Sequence, residues 1–295
     1  MGNLPRSRVE TPVFNCKGID FFGPIYIKEQ KFRNRVTLKP YGCALVSMAT
    51  KAVLIEVISD LSTDGFLAAF RRFISRQGIP SEVYSDNGTN FVGAQNELRE
   101  LYALFNSDKF RQRVNAFAIE KQIKWHFNPP IFPHFRGLWE AAVISFTPHL
   151  KRGIGVKMLT FEEINTLLIE IEEILNSCPL WCISTDPNDP NALTLAHILV
   201  GRALISLPQK SYLNVPENHL TTWQFISRAR EDFWVRWHLE YLHELQKRVK
   251  WHITTDPITE GRVVLLIDKD QPCMQWELGI ITKVYPGSDQ ITRVA

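Results

Sequence analysis

Cysteine is scarce in this 295-residue chain, and the five present are scattered: Cys16, Cys43, Cys178, Cys182 and Cys273. Only Cys178 and Cys182 lie close together, and no second pair completes a zinc site. Neither a zinc module nor a disulfide framework is expected, and the odd count points to a reducing compartment. No apolar run approaches the ~18–20 residues of a membrane span. The opening MGNLPRSRVETP lacks the apolar stretch of a signal peptide. A soluble intracellular protein with no membrane partner is therefore expected. P-loop, dinucleotide fingerprint and Ser-His-Asp motif are all missing, which removes three large enzyme classes. No repeat or low-complexity tract is present. Excess charge is also slight: 34 Lys and Arg against 31 Asp and Glu leave +3. That balance permits a nucleic-acid partner without arguing for one, because binding depends on a local basic patch.

What the chain does have is apolar residue in quantity, 45% hydrophobic by composition, at a length near the limit for one core and comfortable for two. GIDFFGPIYI (Gly18–Ile27), YGCALVSMAT (Tyr41–Thr50) and AVLIEVI (Ala52–Ile58) read as three strands in an antiparallel meander. Thr63–Gln77 reads as a helix capped by Thr63 or Asp64, with Phe66, Leu67, Phe70, Phe73 and Ile74 at helical spacing. A strand over Glu82–Ser85, helices over Asn90–Phe105 and Phe110–Lys121, and a strand over Ile123–Phe127 follow. The order βββαβαβα predicts a mixed α/β fold with a central sheet. A Pro-rich loop, NPPIFPHFRG, leads into a helix expected from Leu138. Thr160–Ser177 reads as an amphipathic helix with a Thr160/Glu163 capping box. TDPNDPN (Thr185–Asn191) reads as a linker, Leu220–Trp251 as a long helix with one aromatic face, and the chain from Gly261 as a small β module.

Three carboxylates stand out by position. Asp20 lies inside an apolar strand, where an ionised group needs compensation. Asp86 ends a strand before Asn87-Gly88, and Glu140 opens the helix after the Pro-rich loop. Singly, each has an ordinary explanation: an edge-strand charge facing solvent, a turn former, a helix N-terminal acid. Together, in this chain order on an α/β unit, they can converge at one sheet edge. Hard Mg²⁺ or Mn²⁺ ions prefer such oxygen ligands, and two of them can drive phosphodiester chemistry.

At these residues the sequence resembles a known family. GIDFFGPI, YGCALVSMATKAV, SDLSTDGFLAAFRRFISRQGIP, YSDNGTNFVGA, NPPIFPHFRGLWEAAV, LTFEE, LNSCPL and DPNDPNALTLAHILVGR are similar to the integrase of BEL/Pao-type LTR retrotransposons, within the retroviral integrase superfamily. The resemblance implies a ribonuclease H-like core over residues 16–205 after a lead segment, 1–15. A linker and long helix over 206–255 and a partial SH3-like barrel over 256–295 would follow. It implies a DDE triad of Asp20, Asp86 and Glu140 that holds two Mg²⁺ or Mn²⁺ ions. It also implies DNA 3′-end processing and strand transfer, with element ends and target DNA as partners. A homo-oligomer when active is expected, and nuclear localisation, otherwise cytoplasmic. The Asp86–Glu140 interval of 53 residues is longer than retroviral enzymes usually have, and Phe105–Lys121 looks like the family's helical insertion.

Secondary candidates surround the triad. Asn87 and Asn90 flank Asp86, His126 and His134 flank the Pro-rich loop, and Arg136 lies within it. Lys151, Arg152, Lys157, Lys247, Arg248 and Lys250 are candidate phosphate contacts, with a solvated charged face as the ordinary alternative. The Trp-rich stripe of Trp223–Trp251 is expected to pack against the core or another subunit rather than stack on bases. The chain departs from the family pattern in four places. No HHCC zinc module precedes Asp20, and the barrel stops at Ala295 with edges open, which predicts a weakly stable tail. Arg136 replaces a Gly in the loop motif. Ile144 and Thr147 stand where basic residues are usual on the Glu140 helix, and Pro148 is expected to interrupt that helix. The alternative function is accordingly a catalytically degenerate fragment, acting as a nucleic-acid-binding or structural protein.

Overall fold

The computed structural model describes residues 10–29, 36–60, 62–86, 104, 107–128, 133–182, 192–206, 209–245, 259–266, 268, 271–287 and 292–294. Strand β1 (Cys16–Phe22) is followed by a two-stranded ribbon, β2 (Ile27–Lys28) with β3 (Thr37–Leu38), and then by β4 (Tyr41–Ser47) and β5 (Val53–Ile58). β4 lies antiparallel between β1 and β5, which is the meander the three apolar runs predict. β6 (Glu82–Asp86) pairs parallel with the free side of β1, and β7 (Lys124–Asn128) pairs parallel with β6. The order β5-β4-β1-β6-β7, antiparallel on one side of β1 and parallel on the other, is a ribonuclease H-like sheet.

Every residue of β4 and β5 is buried, so the sheet requires cover on both faces. Alternation along β1 assigns that cover. Helix α1 (Thr63–Gln77) meets the odd positions: Lys17 lies against Phe70 and Phe73, and Phe21 against Phe66. Its cap is Ser62, whose Oγ accepts the Gly65 N–H at 2.9 Å, rather than Thr63 or Asp64; Ser62 has the extended backbone a cap needs, while Thr63 is already helical. Helix α2 (Asp108–Glu120), capped by Ser107, packs beside α1 with Phe110, Val114 and Ala118 buried. The helix expected over Asn90–Phe105 lies almost wholly outside the described residues.

Helix α3 (Pro133–Ile154) covers the even positions of β1. It begins five residues before the expected Leu138, because proline suits the first turn of a helix as well as a loop. Nor does Pro148 interrupt it. Pro148 and Ile144 both lie on the exposed side of the helix, which continues past the bond that proline removes. Helix α4 (Phe161–Asn176) has the expected capping box: Thr160 N–H donates to Glu163 Oε2 at 2.8 Å, and Thr160 Oγ1 accepts the Glu163 N–H at 3.4 Å. Its stripe of Ile164, Leu167, Leu168, Ile171, Ile174 and Leu175 is buried throughout.

A ribbon of β8 (Pro179–Cys182) and β9 (Ala192–Thr194) leads to the short α5 (Leu195–Val200) and then to α6 (Thr222–Leu245). The linker read over Thr185–Asn191 falls outside the described residues. α6 lies across α3 and α4, and Phe225, Ile226, Ala229, Phe233, Trp234 and Trp237 join the same core as the sheet. His149 Nε2 on α3 stands 2.8 Å from Glu240 Oε2 on α6. From Phe225 to Tyr241 the aromatic stripe is thus a packing surface, while Trp223 is exposed and Trp251 falls outside the described residues. Beyond it, β10 (Val263–Leu265) pairs with β11 (Leu278–Ile280), and β12 (Tyr285–Pro286) with β13 (Thr292–Val294). Among the described residues these are two separate ribbons and no closed barrel. No helix among the described residues is long and apolar enough to cross a membrane.

The outer edge of β5 is finished by side chains rather than by a strand. Asn176 of α4 accepts the Val53 N–H at 2.9 Å and donates to the Val53 carbonyl at 2.7 Å. Glu172 Oε2 accepts the Ile55 N–H at 2.7 Å, and Arg72 of α1 donates to the Val57 carbonyl at 2.7 Å. Burial pushes the Glu172 carboxyl up to about 7, against the pull of the Ile55 N–H and of Arg76. The folded state therefore holds a proton that the unfolded chain has released between roughly pH 4.5 and 7, so stability falls as pH rises through that window. Glu172→Gln keeps an acceptor for Ile55 without the charge. It is expected to leave stability unchanged near pH 4 and to raise it at pH 8 by of order 2 kcal/mol in urea unfolding.

Candidate active site

β1 is the point where the sheet changes from antiparallel to parallel pairing, and ligands of open α/β sheets bind beyond strand C-terminal ends at such switch points. Two of the three carboxylates sit there. β1 and β6 run in register from Cys16↔Glu82 to Ile19↔Ser85. One further step along both strands brings the Asp86 backbone level with Asp20, on strands about 4.8 Å apart. Asp86 is in turn level with Asn128 of β7.

Asp20 is 8% exposed, and its Oδ1 accepts the Phe21 N–H at 2.8 Å. Burial first, and then the charge of Asp20, push the neighbouring Cys43 thiol far above its ordinary range, so Cys43 stays protonated and unreactive. β1 ends two residues later at Phe22, and Gly23, whose φ of +126° suits glycine, turns the chain away where Asp20 lines a cleft.

Glu140 reaches the same cleft from α3. The cleft holds about 370 Å³ and is lined by Asp20, Glu140, Ile144, Thr147 and Lys151, among others. The spacing 140, 144, 147, 151 is one face of a helix. Trp139, fully buried, fixes the helix against the sheet. Its ring occupies the space above Gly18, where a Cβ would lie 2.3 Å from the ring atoms. Phe22 uses Gly42 in the same way, with a Cβ there 2.1 Å from its ring, and stands edge-on to Phe146 of α3 at 5.1 Å. Two glycines on neighbouring strands thus admit two rings that seat α3 on the sheet. Gly18 and Trp139 are each within two residues of a cleft carboxylate.

Asp20 and Glu140 are hard oxygen donors of the type divalent cations take. Among the described residues no cluster of three or more His, Cys, Asp or Glu side chains is placed to hold a metal; the side chain of Asp86 lies outside that set. Asn87 and Asn90 also fall outside the described residues, as do Lys247, Arg248 and Lys250. His134 and Arg136 lie in the first turn of α3 by backbone, rather than in a loop. His126 stacks on Tyr84 with ring centres 4.6 Å apart and stands 3.6 Å from Glu82, a structural placement. Lys151 and Arg152 are exposed in the last turn of α3. Lys157 lies over the Phe225 ring at 3.9 Å. Burial is the main cause lowering its pKa; Glu217 opposes this and Lys28 adds to it.

Reading the sequence missed Gly18, Gly42 and Trp139 as the seat of the site. It also missed a charge run. Residues 28–39, KEQKFRNRVTLK, carry five cations and one anion, or +4, so the rest of the chain carries −1 of the total +3. Net charge concealed it; a windowed count would have found it.

Comparisons with known proteins give one family model and several solved structures. A family model described as a family of unknown function (DUF5641) matches residues 221–295. No curated protein matches the sequence. Among solved structures, the chain is similar to one in the simian T-cell lymphotropic virus intasome, bound there to PP2A regulatory subunit B56 gamma, at 13% identity and a TM-score of 0.41. That match covers 74% of this chain and 66% of that one, just under two thirds. It is also similar to the HTLV-2 integrase catalytic core domain in complex with magnesium. The dimeric form gives 15% identity and a TM-score of 0.34, covering 56% of this chain and 88% of that one. The trimeric form gives 16% and 0.37, covering 65% and 99%. At these values the likenesses are distant, and the roles of Asp20 and Glu140 are read from their own surroundings.

Proposed function

We propose that this chain is a retrotransposon-derived integrase of BEL/Pao type, a polynucleotidyl transferase that processes DNA 3′ ends and joins them to target DNA. The observation that carries the reading is convergence. Asp20 from the central strand and Glu140 from a helix more than a hundred residues away line one cleft, and the backbone of Asp86 stands one strand over from Asp20. Asp20, Asp86 and Glu140 would hold two Mg²⁺ or Mn²⁺ ions, which when bound activate an attacking oxygen and stabilise the leaving one. The residues of the chain supply the rest. β1 holds Asp20 between two paired neighbours, Trp139 sets the position of Glu140, and Lys151 at the far end of the cleft offers a cation to a phosphate. Element ends and target DNA would be the partners, a homo-oligomer the working form, a partial SH3-like module the C-terminal end, and the nucleus, otherwise the cytoplasm, the location.

The second reading, a fragment that binds nucleic acid without catalysis, is favoured by Ile144. It is 66% exposed on the cleft wall and presents apolar surface where a polyanion would lie. Strand-transfer assays with Mn²⁺ on short DNA ends separate the two. Joining by the wild-type chain that falls to background in Asp20→Asn, Glu140→Gln and Asp86→Asn supports the enzyme. DNA binding without joining supports the fragment. Joining that persists in Asp20→Asn would remove the site from the chemistry.

A further inference from the structure

The Asp20–Glu140 cleft continues into a second one. This neighbour, about 520 Å³, is lined by Phe22, Gly23, Tyr26, Lys151, Val156 and Lys157 among others, and shares Phe22, Gly23, Thr147 and Lys151 with the first. The two form one trough along α3. From Glu140 to the end of the helix is fourteen residues, about 21 Å at the α-helical rise. That is room for about six stacked nucleotides of one strand.

Lysines line and border the trough, together with apolar side chains. Lys151 in the last turn of α3 and Lys157 just past the helix are in its lining. The β2–β3 ribbon contributes Thr37, with Lys28 on β2 and Lys39 just past β3 nearby; the Lys39 Nζ lies 5.8 Å from the centre of the Tyr26 ring. Lys28 is close enough to Lys157 for its charge to be felt there. In sequence, residues 28–39, from Lys28 to Lys39, carry +4. Among the lining residues, Tyr26 is 41% exposed and Val156 is 96% exposed.

We infer that this trough binds an unpaired nucleic-acid strand leading away from the carboxylates, with the β2–β3 ribbon as its second wall. Charge decides the class of ligand: lysines in and beside the trough suit a phosphodiester backbone. The exposed apolar side chains decide between duplex and single strand. A duplex turns its base faces inward and gains nothing from Tyr26 or Val156, whereas an unpaired strand can lay a base on the ring while its phosphates follow the lysines. The inference rests on the proposed nucleic-acid function and adds where the strand runs and in what form.

The test is fluorescence anisotropy on the full chain in EDTA, with a labelled unpaired oligonucleotide of about twelve nucleotides and the matching duplex. Without metal no cleavage occurs, so failure of the strand-transfer chemistry leaves this measurement standing. The unpaired strand is expected to bind more tightly than the duplex. Tyr26→Ala should weaken its binding roughly 5- to 100-fold while Tyr26→Phe, which keeps the ring, restores it. Lys28→Ala and Lys39→Ala should each lower the salt slope by about 0.7. Circular dichroism confirms that the variants fold, as expected with Tyr26 and Lys39 exposed and Lys28 half-buried. Equal affinity for duplex and unpaired strand, or unchanged binding in both Tyr26→Ala and the lysine variants, would overturn the inference.

Discussion

Gly18→Ala is expected to cost about 3 kcal/mol of stability and to reduce any metal-dependent activity by about a hundredfold, although it adds a single methyl group. The added Cβ would stand 2.3 Å from the Trp139 ring, which is fully buried and cannot swing out of the way. The strain falls on α3, because β1 is hydrogen-bonded on both sides and the helix is not. Trp139 is followed by Glu140, and Gly18 precedes Asp20 by two residues on the same face. Whatever lifts the ring therefore widens the gap between the two carboxylates. Pairing Gly18→Ala with Trp139→Leu should recover part of the stability lost by either change, a coupling readable in a double-mutant cycle from urea unfolding. Additive losses would show that ring and glycine do not share the space.

Lys17→Met is expected to act in the opposite direction and stabilise the protein. Lys17 is fully buried in β1, its Nζ 3.1 Å from the centre of the Phe73 ring, and that nitrogen has no hydrogen-bond partner among the described residues. Burial lowers its pKa from 10.5 to about 6, with Cys43 opposing. The folded pKa is depressed, so the unfolded chain binds the extra proton between about pH 6 and 10.5, and stability is lost as pH falls through that range. Methionine fills a similar volume without an amine to strip of water. At pH 7 the variant should gain roughly 2–4 kcal/mol, and the gain should shrink as pH approaches 10. Chemical denaturation at pH 7 and pH 9.5 measures both; a gain that does not change with pH would mean Lys17 keeps its charge when folded.

Lys17 and Gly18 also mark where the sequence ceases to be readable. The meander, α1 and α4 follow from composition and spacing, because periodicity records burial directly. The six apolar positions read on α4 are the ones that point inward. Positions set by partners distant in the chain leave no such record. Nothing near Gly18 announces that its missing side chain is replaced by a ring 121 residues away, and nothing near Trp234 names Gln271 as the acceptor of its indole N–H. The start of α3 is hidden for a different reason: Pro133 satisfies the rules of a loop and of a first helical turn equally. The effect of Pro148 is hidden because its cost depends on the surroundings of the helix, which only the fold decides. The three carboxylates stand out in the sequence, but the register of β1 with β6 does not, since their parallel pairing depends on a crossover through α1.

The finished edge of β5 gives the sheet a direction of growth. Asn176 presents to Val53 the donor and acceptor that a sixth strand would have presented, and Glu172 and Arg72 occupy the next two rungs. A foreign strand arriving there would have to evict three side chains before making its first bond. β7 is the other edge of the sheet. Any extension of the central sheet by a second copy of the chain is thereby steered to the border beside Asn128, on the same side of β1 as Asp86. Assembly by strand addition would then build outward from the candidate site and away from α4.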